Sequence, residues 1–258
     1  MRILLALLCL TALAANADAQ GRRRGGGGRG GEAGVDGYLP NVPYDGRFTF
    51  VRIKYTPASG GFGFRGRDVK WDHDYNRAER HFTKILDELT TIGPRMDASN
   101  ILAFDDPELY KYPVAYVSEP GYWAPTEKEV EGVRNYLLKG GFVIFDDFAG
   151  NDIYNLETQM RRVLPEARIM PIGLEHPIWD SFYRIESLEY NHPYYGVPSV
   201  FLGIFENNDP TKRLMAVINY NNDLGDYWEF SDTGFFPIDL SNEAYKIGVN
   251  YIVYAFTR

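Results

Sequence analysis

Cysteine is all but missing from this sequence: its 258 residues contain one, Cys9. That residue falls in a stretch read below as a cleaved leader, so the mature chain is expected to have no disulfide, no thiolate metal site and no thiol nucleophile. Histidine is almost as scarce, with His73, His81, His176 and His192 alone. Neither His-x-His nor His-Glu-x-x-His spacing occurs, so the signature of a zinc site is absent; no metal ligand and no cofactor are expected. Basic residues are outnumbered, 27 Lys and Arg against 35 Asp and Glu, for a net charge of −8. Arg2 cancels Asp18, and four arginines face only Glu32 and Asp36 in residues 20–37, so the rest of the chain carries −10. A nucleic-acid partner is excluded on that balance, because phosphate binding needs a basic stripe. Long apolar runs are missing after the first fifteen residues, which leaves no integral membrane segment once the leader is removed.

What is present begins with that leader. Met1-Arg2 precedes an apolar run from Ile3 to Ala15, and Ala17-Asp18-Ala19 supplies the small-x-small pattern of a signal-peptidase site. The run is shorter than the roughly 20 residues that span a bilayer, which disfavours an uncleaved anchor. Leu7-Leu8 before Cys9 disfavours a lipoprotein. Residues 1–19 are therefore read as a signal peptide, and the mature protein as exported, periplasmic or extracellular. Residues 20–37, with Arg22-Arg23-Arg24, Arg29 and runs of glycine, have nothing to bury and read as a disordered linker; the rival reading is adhesion to an anionic polymer through the arginines. Residues 38–258 read as one domain, large enough for a full core.

Within it, Phe48–Tyr55 mixes β-branched and aromatic residues as strands do. Ala78, Phe82, Ile85, Leu86, Leu89 and Ile92 recur at helical spacing and stop at Gly93-Pro94. Val114–Ser118 reads as a buried strand, and Thr126 with Glu129 as a capping box opening a helix that ends before Gly140-Gly141. Phe142–Phe145 is the most apolar strand, followed by a helix over Ile153–Val163 and a strand over Ala167–Met170. Val200–Phe205 and Leu214–Tyr220 read as an antiparallel hairpin or edge addition, and Asn242–Phe256 as a closing helix. The alternation predicts a doubly wound α/β domain with a mostly parallel sheet and an added hairpin.

Several motifs compete for function. Gly61-Phe-Gly-Phe-Arg-Gly66 matches the dinucleotide fingerprint in letters, but Arg67–Tyr75 intervene where the helix must start; it reads as a loop. Asn219–Asp226 places oxygen side chains at alternate positions like a calcium loop, yet Leu224 stands where the glycine belongs and Phe230 where the last carboxylate belongs; it reads as a turn of Asx hydrogen bonds, with an irregular calcium site as the rival. His81 reads as a surface residue of its helix, and His176 and His192 each precede proline, which fixes an extended backbone there. Asp146-Asp147 carry most weight. They leave a buried strand at its carboxyl end, where open parallel sheets bind ligands, although an acidic pair before a helix also serves as a cap.

The stretches Phe48–Arg52, Asp74–Arg80, Gly140–Phe148, His176–Tyr183, Asn219–Asp226 and Gly248–Tyr254 resemble the family known as domain of unknown function 4159, across the whole domain. That resemblance implies a flavodoxin-like fold similar to class I glutamine amidotransferases and trehalose-utilisation-type domains. It also places Asp146-Asp147 at the turn where amidotransferases carry a nucleophilic cysteine, so a thioester route is chemically excluded. Some relatives resemble components of bacterial envelope gene sets.

The reading that follows is a non-catalytic binding or scaffold protein with a degenerate site for a glycan or envelope protein. Ser118, Glu119, Tyr122, Trp123, Asp223, Asp226 and Trp228 are the expected ligand-binding residues. The alternative is a hydrolase acting on sugar or peptide with Asp146, Asp147 and His176 as catalytic groups, Asp147 as base and His176 as proton carrier. Either way, the Asp146-Asp147 pair, the Glu119–Trp123 loop and His176 are expected to converge on one crevice.

Overall fold

The computed structural model describes residues 38–58 and 68–258; the leader, the Arg/Gly linker and the Gly61–Gly66 loop lie outside the described residues. Seven strands form one sheet: β1 (Val51–Ile53), β2 (Asn100–Leu102), β3 (Val114–Ser118), β4 (Phe142–Phe148), β5 (Ile169–Pro171), β6 (Val200–Phe205) and β7 (Leu214–Tyr220). Their order is β2-β1-β3-β4-β7-β6-β5. From β2 to β7 all neighbours are parallel, and β6 is antiparallel to both β7 and β5. The α-helices are α1 (Arg77–Leu89), α2 (Glu127–Leu138), α3 (Ile153–Val163), α4 (Leu224–Glu229) and α5 (Ile238–Thr257).

Both faces of the sheet are covered because its central strands are apolar on both sides until their carboxyl ends, where Ser118, Asp146, Asp147 and Asn219 stand. Side chains alternate across a strand, so Val114 and Tyr116 of β3 enter one core with Phe142 and Ile144 of β4. Ala115 and Val117 enter the other with Val143 and Phe145. Phe82 of α1, Trp228 of α4 and Ile247 of α5 close the first face. Val133 and Leu137 of α2 and Leu156 and Met160 of α3 close the second. The longest of these helices, α5, is no candidate for a membrane span; among the described residues no helix is long and apolar enough to cross a bilayer.

β3, the capping box of α2 and the extent of α3 match the sequence reading. Two expectations need correction. The Phe48–Tyr55 strand contracts to the three residues of β1, although Phe48 and Phe50 stay buried. Leu214–Tyr220 pairs antiparallel with Val200–Phe205, as expected. It is no edge addition, however, because β7 lies beside β4 and pairs with it in parallel from Val143–Ala216 to Phe145–Ile218. The cause is visible in its composition. Met215, Ala216, Val217 and Ile218 send apolar groups to both cores, as a central strand must.

One buried ion pair ties this scaffold to the segment ahead of α1. Arg52 of β1 and Glu79 of α1 meet at 2.5 Å with both side chains out of solvent. The same guanidinium donates to the carbonyl oxygens of Trp71 and His73 at 3.0 and 2.7 Å. The 71–74 turn is thereby pinned to the sheet at its carboxyl edge.

Candidate functional site

At the end of β4 two adjacent aspartates part company. Asp146 turns into the core, where Tyr116 Oη donates to its Oδ2 at 2.8 Å and Asn219 Nδ2 to its Oδ1 at 2.9 Å. The backbone N–H groups of Leu224 and Gly225 donate to Oδ2 at 2.9 and 3.0 Å. Those two amides open α4 and have no partner within their own helix, so Asp146 caps α4 from a different element. Burial pushes the Asp146 carboxyl up, and the four donors oppose it.

Asp147 has a φ of 62°, and the β4–β7 ladder shifts register between Phe145 and Phe148. The side chain therefore turns away from that of Asp146 at the carboxyl edge of the sheet, accepting from Ser118 Oγ at 3.0 Å and Tyr195 Oη at 3.2 Å.

Beside it lies a balanced group of charges. His73 sits between two carboxylates, Nε2 to Asp68 at 2.8 Å and Nδ1 to Glu119 at 2.6 Å, with Asp147 Oδ2 at 3.8 Å. Lys70 Nζ pairs with Asp68 at 2.8 Å and Glu119 at 3.1 Å, and lies 4.5 Å over the ring of Tyr122. Burial alone would lower the His73 pKa, but the hydrogen bond and charge of Glu119, with Asp147 and Asp74, raise it to about 10. Two cations thus answer two anions.

Of the next four carboxylates only Asp147 has one of these cations within ion-pair distance, the His73 ring at 3.8 Å. Among the described residues, no lysine or arginine forms an ion pair with Asp74, Asp147, Asp223 or Asp226. Burial, and then the charge of neighbouring carboxylates, pushes Asp147 up to about 8 and Asp74 and Asp223 well above their ordinary range. Asp226 rises to about 6, chiefly through burial. Asp223 also holds the N-terminus of α4, accepting from the Asp226 N–H at 2.8 Å. Asp74 Oδ2 is buried without a hydrogen-bond partner.

His192 borders the same group. It is 3% exposed, yet neither ring nitrogen has a hydrogen-bond partner. Its Nε2 lies 3.9 Å from Asp226 Oδ2. Tyr195, Tyr227 and Phe236 surround the ring at centroid distances of 4.6, 5.2 and 5.5 Å. Burial lowers its pKa to about 4, so the imidazole is neutral.

Backbone strain gathers at the same place. Lys70, Asp74, Glu119, Asp147 and Asn221 have φ of 67°, 64°, 46°, 62° and 57°. A left-handed conformation costs a non-glycine residue about 1 kcal/mol or more. Strained positions that the surroundings hold in place are a mark of functional sites. Here Tyr55 Oη supports one of them, donating to the carbonyl oxygens of Ser118 and Glu119 at 2.8 and 2.7 Å.

A family model covers residues 49–256, from the segment leading into β1 to the last turn of α5. The chain belongs to the family described as domain of unknown function (DUF4159). A search of curated proteins found no match.

Of the residues expected at the site of this DUF4159 domain, Ser118, Glu119, Asp147, Asp223 and Asp226 do meet, and Tyr122 stands at the rim under Lys70. The others do not. Asp146 is wholly committed to the core. Trp123 lies in the second core against Phe104 and Phe145, and Trp228 in the first against Phe82 and Tyr116; neither offers a surface to a ligand. His176 does not join this group. Its Nδ1 accepts from the Ile178 N–H, and its ring packs on Phe205 and Tyr254. Phe205 pairs with Leu214 at the start of β7, roughly 20 Å from the crevice end of that strand at about 3.3 Å per residue. The reason is that β5 spans only three residues, and the chain after it turns back along β6.

Sequence reasoning missed His73, Asp74, His192 and Tyr195. His192-Pro193 carried the same extended-backbone signal as His176-Pro177, and that signal does not tell which end of the sheet a loop reaches.

Proposed function

We propose that this DUF4159 domain is an exported binding domain of the cell envelope. Its ligand enters the crevice over the carboxyl ends of β3, β4 and β7. The observation that carries the reading is the set of three buried carboxylates, Asp74, Asp147 and Asp223, with the half-buried Asp226 beside them, that no lysine or arginine of the described chain neutralises. Clustered acids that outnumber the cations beside them are costly to bury, so a ligand that brings positive charge or hydroxyl donors is favoured there. Tyr194, 52% exposed, and Phe235 pair at 5.7 Å beside His192. An aromatic rim around convergent polar groups suits a glycan, and an envelope protein presenting a basic side chain is the other candidate. The mostly parallel sheet is compatible with a flavodoxin-like, amidotransferase-like arrangement. In that arrangement Asp146-Asp147 replace the thiol, and the site binds without acyl transfer.

Calorimetric titration of the purified protein with cell-wall oligosaccharides and peptides tests the site. Binding should weaken in Asp147→Asn and Tyr195→Phe variants that melt like the parent. Unchanged binding in both would move the site elsewhere. For export, mass spectrometry of the protein from the source cells should find Gln20 at the N-terminus, and an intact Met1 would refute cleavage.

A hydrolase reading keeps Asp147 but exchanges His176 for His73, whose Nδ1 lies 3.8 Å from Asp147 Oδ2. Turnover of an envelope oligosaccharide or peptide that Asp147→Asn abolishes would favour it.

A further inference from the structure

We infer that His192, Asp223 and Asp226 form a site for a divalent cation of the zinc or manganese class. The inference deepens the crevice reading and rests on it. One donor atom from each of the three residues lies within 4.8 Å of the other two. Four oxygen and nitrogen ligands at about 2.0–2.2 Å from zinc stand roughly 3.4 Å apart, so side-chain adjustments of about 1 Å close the set.

The acidic residues alone would not carry this. The independent observation is His192. A buried histidine normally uses at least one ring nitrogen in a hydrogen bond, and this one uses neither. Its Nε2 faces Asp226 from within a wall of aromatic rings, and neither tyrosine hydroxyl among them hydrogen-bonds to it. A neutral imidazole presents a lone pair there, and a metal ion is the partner that both a lone pair and a carboxylate accept. Two carboxylates balance a double positive charge, and Asp74, whose Oδ2 is also unpartnered, has a carboxylate oxygen within the same distance of donors on Asp223 and Asp147, and one within it of donors on Asp226 and Glu229. The ligands are held before any ion arrives. Asp223 is fixed by capping α4, Asp226 lies in the first turn of that helix, and Pro193 restricts the backbone at His192. The Asp226 side chain, 26% exposed, marks the entry.

The chemistry also selects among ions. Calcium and magnesium take oxygen donors and would leave the imidazole unused, whereas one nitrogen with carboxylates suits zinc or manganese. Asn219 and Asn221 are not free to serve as calcium ligands in the Asn219–Asp226 segment. Asn219 bonds Asp146 and Tyr251, and Asn221 bonds the Gly150 N–H and the Pro198 carbonyl. Both amides are consumed in holding the fold.

The test is calorimetric titration of the EDTA-dialysed full chain with zinc, manganese and calcium chlorides. One zinc or manganese ion per chain is expected, with calcium weaker by roughly tenfold or more. Asp226→Asn should weaken zinc by about tenfold or more, and His192→Gln should erase the preference over calcium, with circular dichroism confirming that each variant folds. Three results overturn the site. The folded parent takes up none of the ions at about 1 mM, a concentration that would fill a site with a dissociation constant far weaker than zinc sites show. Or zinc binds undiminished in both variants. Or uptake is lost in Glu119→Gln and kept in Asp226→Asn, which would place the ion at His73, Glu119 and Asp147. Glycan or peptide binding that persists in EDTA and is lost in Asp147→Asn, with no metal uptake, overturns the metal site and leaves the crevice reading standing.

Discussion

Asp146 and Asp147 are consecutive in β4 and answer to different parts of the molecule. Asp146 receives four hydrogen bonds inside the core, two of them from the backbone that opens α4. Asp147 receives two hydroxyl hydrogen bonds at the carboxyl edge of the sheet, from Ser118 and Tyr195, and stands 3.8 Å from His73. A register shift and a left-handed φ at Asp147 separate them. One aspartate therefore ties β4 to the start of α4 inside the core, and the other belongs to the candidate site.

Replacing each by asparagine separates the two roles. Asp146→Asn puts an amide donor against a set of donors, and should cost about 2–3 kcal/mol of stability through the unmet buried groups. Asp147→Asn removes one of several mutually repelling acids, and should be neutral or stabilising while ligand binding falls. Urea denaturation of both proteins, with the slope unchanged, checks the contrast.

Glu79→Ala should be among the most damaging single changes in the protein. It strands the Arg52 guanidinium, which is fully buried, and breaking one side of a buried ion pair costs about 3–5 kcal/mol. Because Arg52 also holds the carbonyls of Trp71 and His73, the variant should lose crevice binding at temperatures where it is still folded. Denaturation curves and a binding titration on the same sample test both effects.

The His73 pKa, raised to about 10 by Glu119, Asp147 and Asp74 against the effect of burial, predicts an alkaline loss of stability. The unfolded value is about 6.5, so the charged ring binds its proton more tightly in the folded state. Its contribution is complete below about pH 6.5 and is lost as pH rises through about 10. Melting midpoints measured from pH 6 to about pH 10 should fall in the parent and fall less in His73→Gln. Equal slopes in the two would show that the imidazolium is not held by Asp68 and Glu119.

Gly225 lies where α4 passes over Asp74. A Cβ at this position would overlap Asp74 Oδ2 and come within 2.8 Å of Tyr116 Oη. Gly225→Ala should cost about 1–3 kcal/mol as an overpacking change. It should also displace Asp74 from the crevice, which a comparison of ligand affinity in the alanine and parent proteins would detect.

Short-range physics determined a good part of this protein from its sequence alone. The capping box at Thr126 and Glu129, the helical spacing that begins at Ala78 and the apolar runs of β3 and β4 each act within a few residues, and each appears in the structure, although that helix ends at Leu89 and leaves out the expected Ile92. The carboxyl edge of the sheet, and with it Ser118, Glu119 and Asp147, followed from strand–helix alternation. The resemblance to DUF4159 pointed to the same stretch.

What only the tertiary structure decided is who meets at that edge. The sequence cannot say that Trp123 and Trp228 fill two cores, because an indole suits a core and a ligand shelf equally well. Nor can it say that β7 enters beside β4, which brings the Asn219–Asp226 segment over Asp146 and under His192. His176 and His192 are alike in sequence, each before a proline, and they lie at opposite ends of the sheet. The difference is set by β5, three residues long, and by β6 running against its neighbours. Strand pairing over dozens of residues fixes which loops share an edge, and no local pattern contains that information.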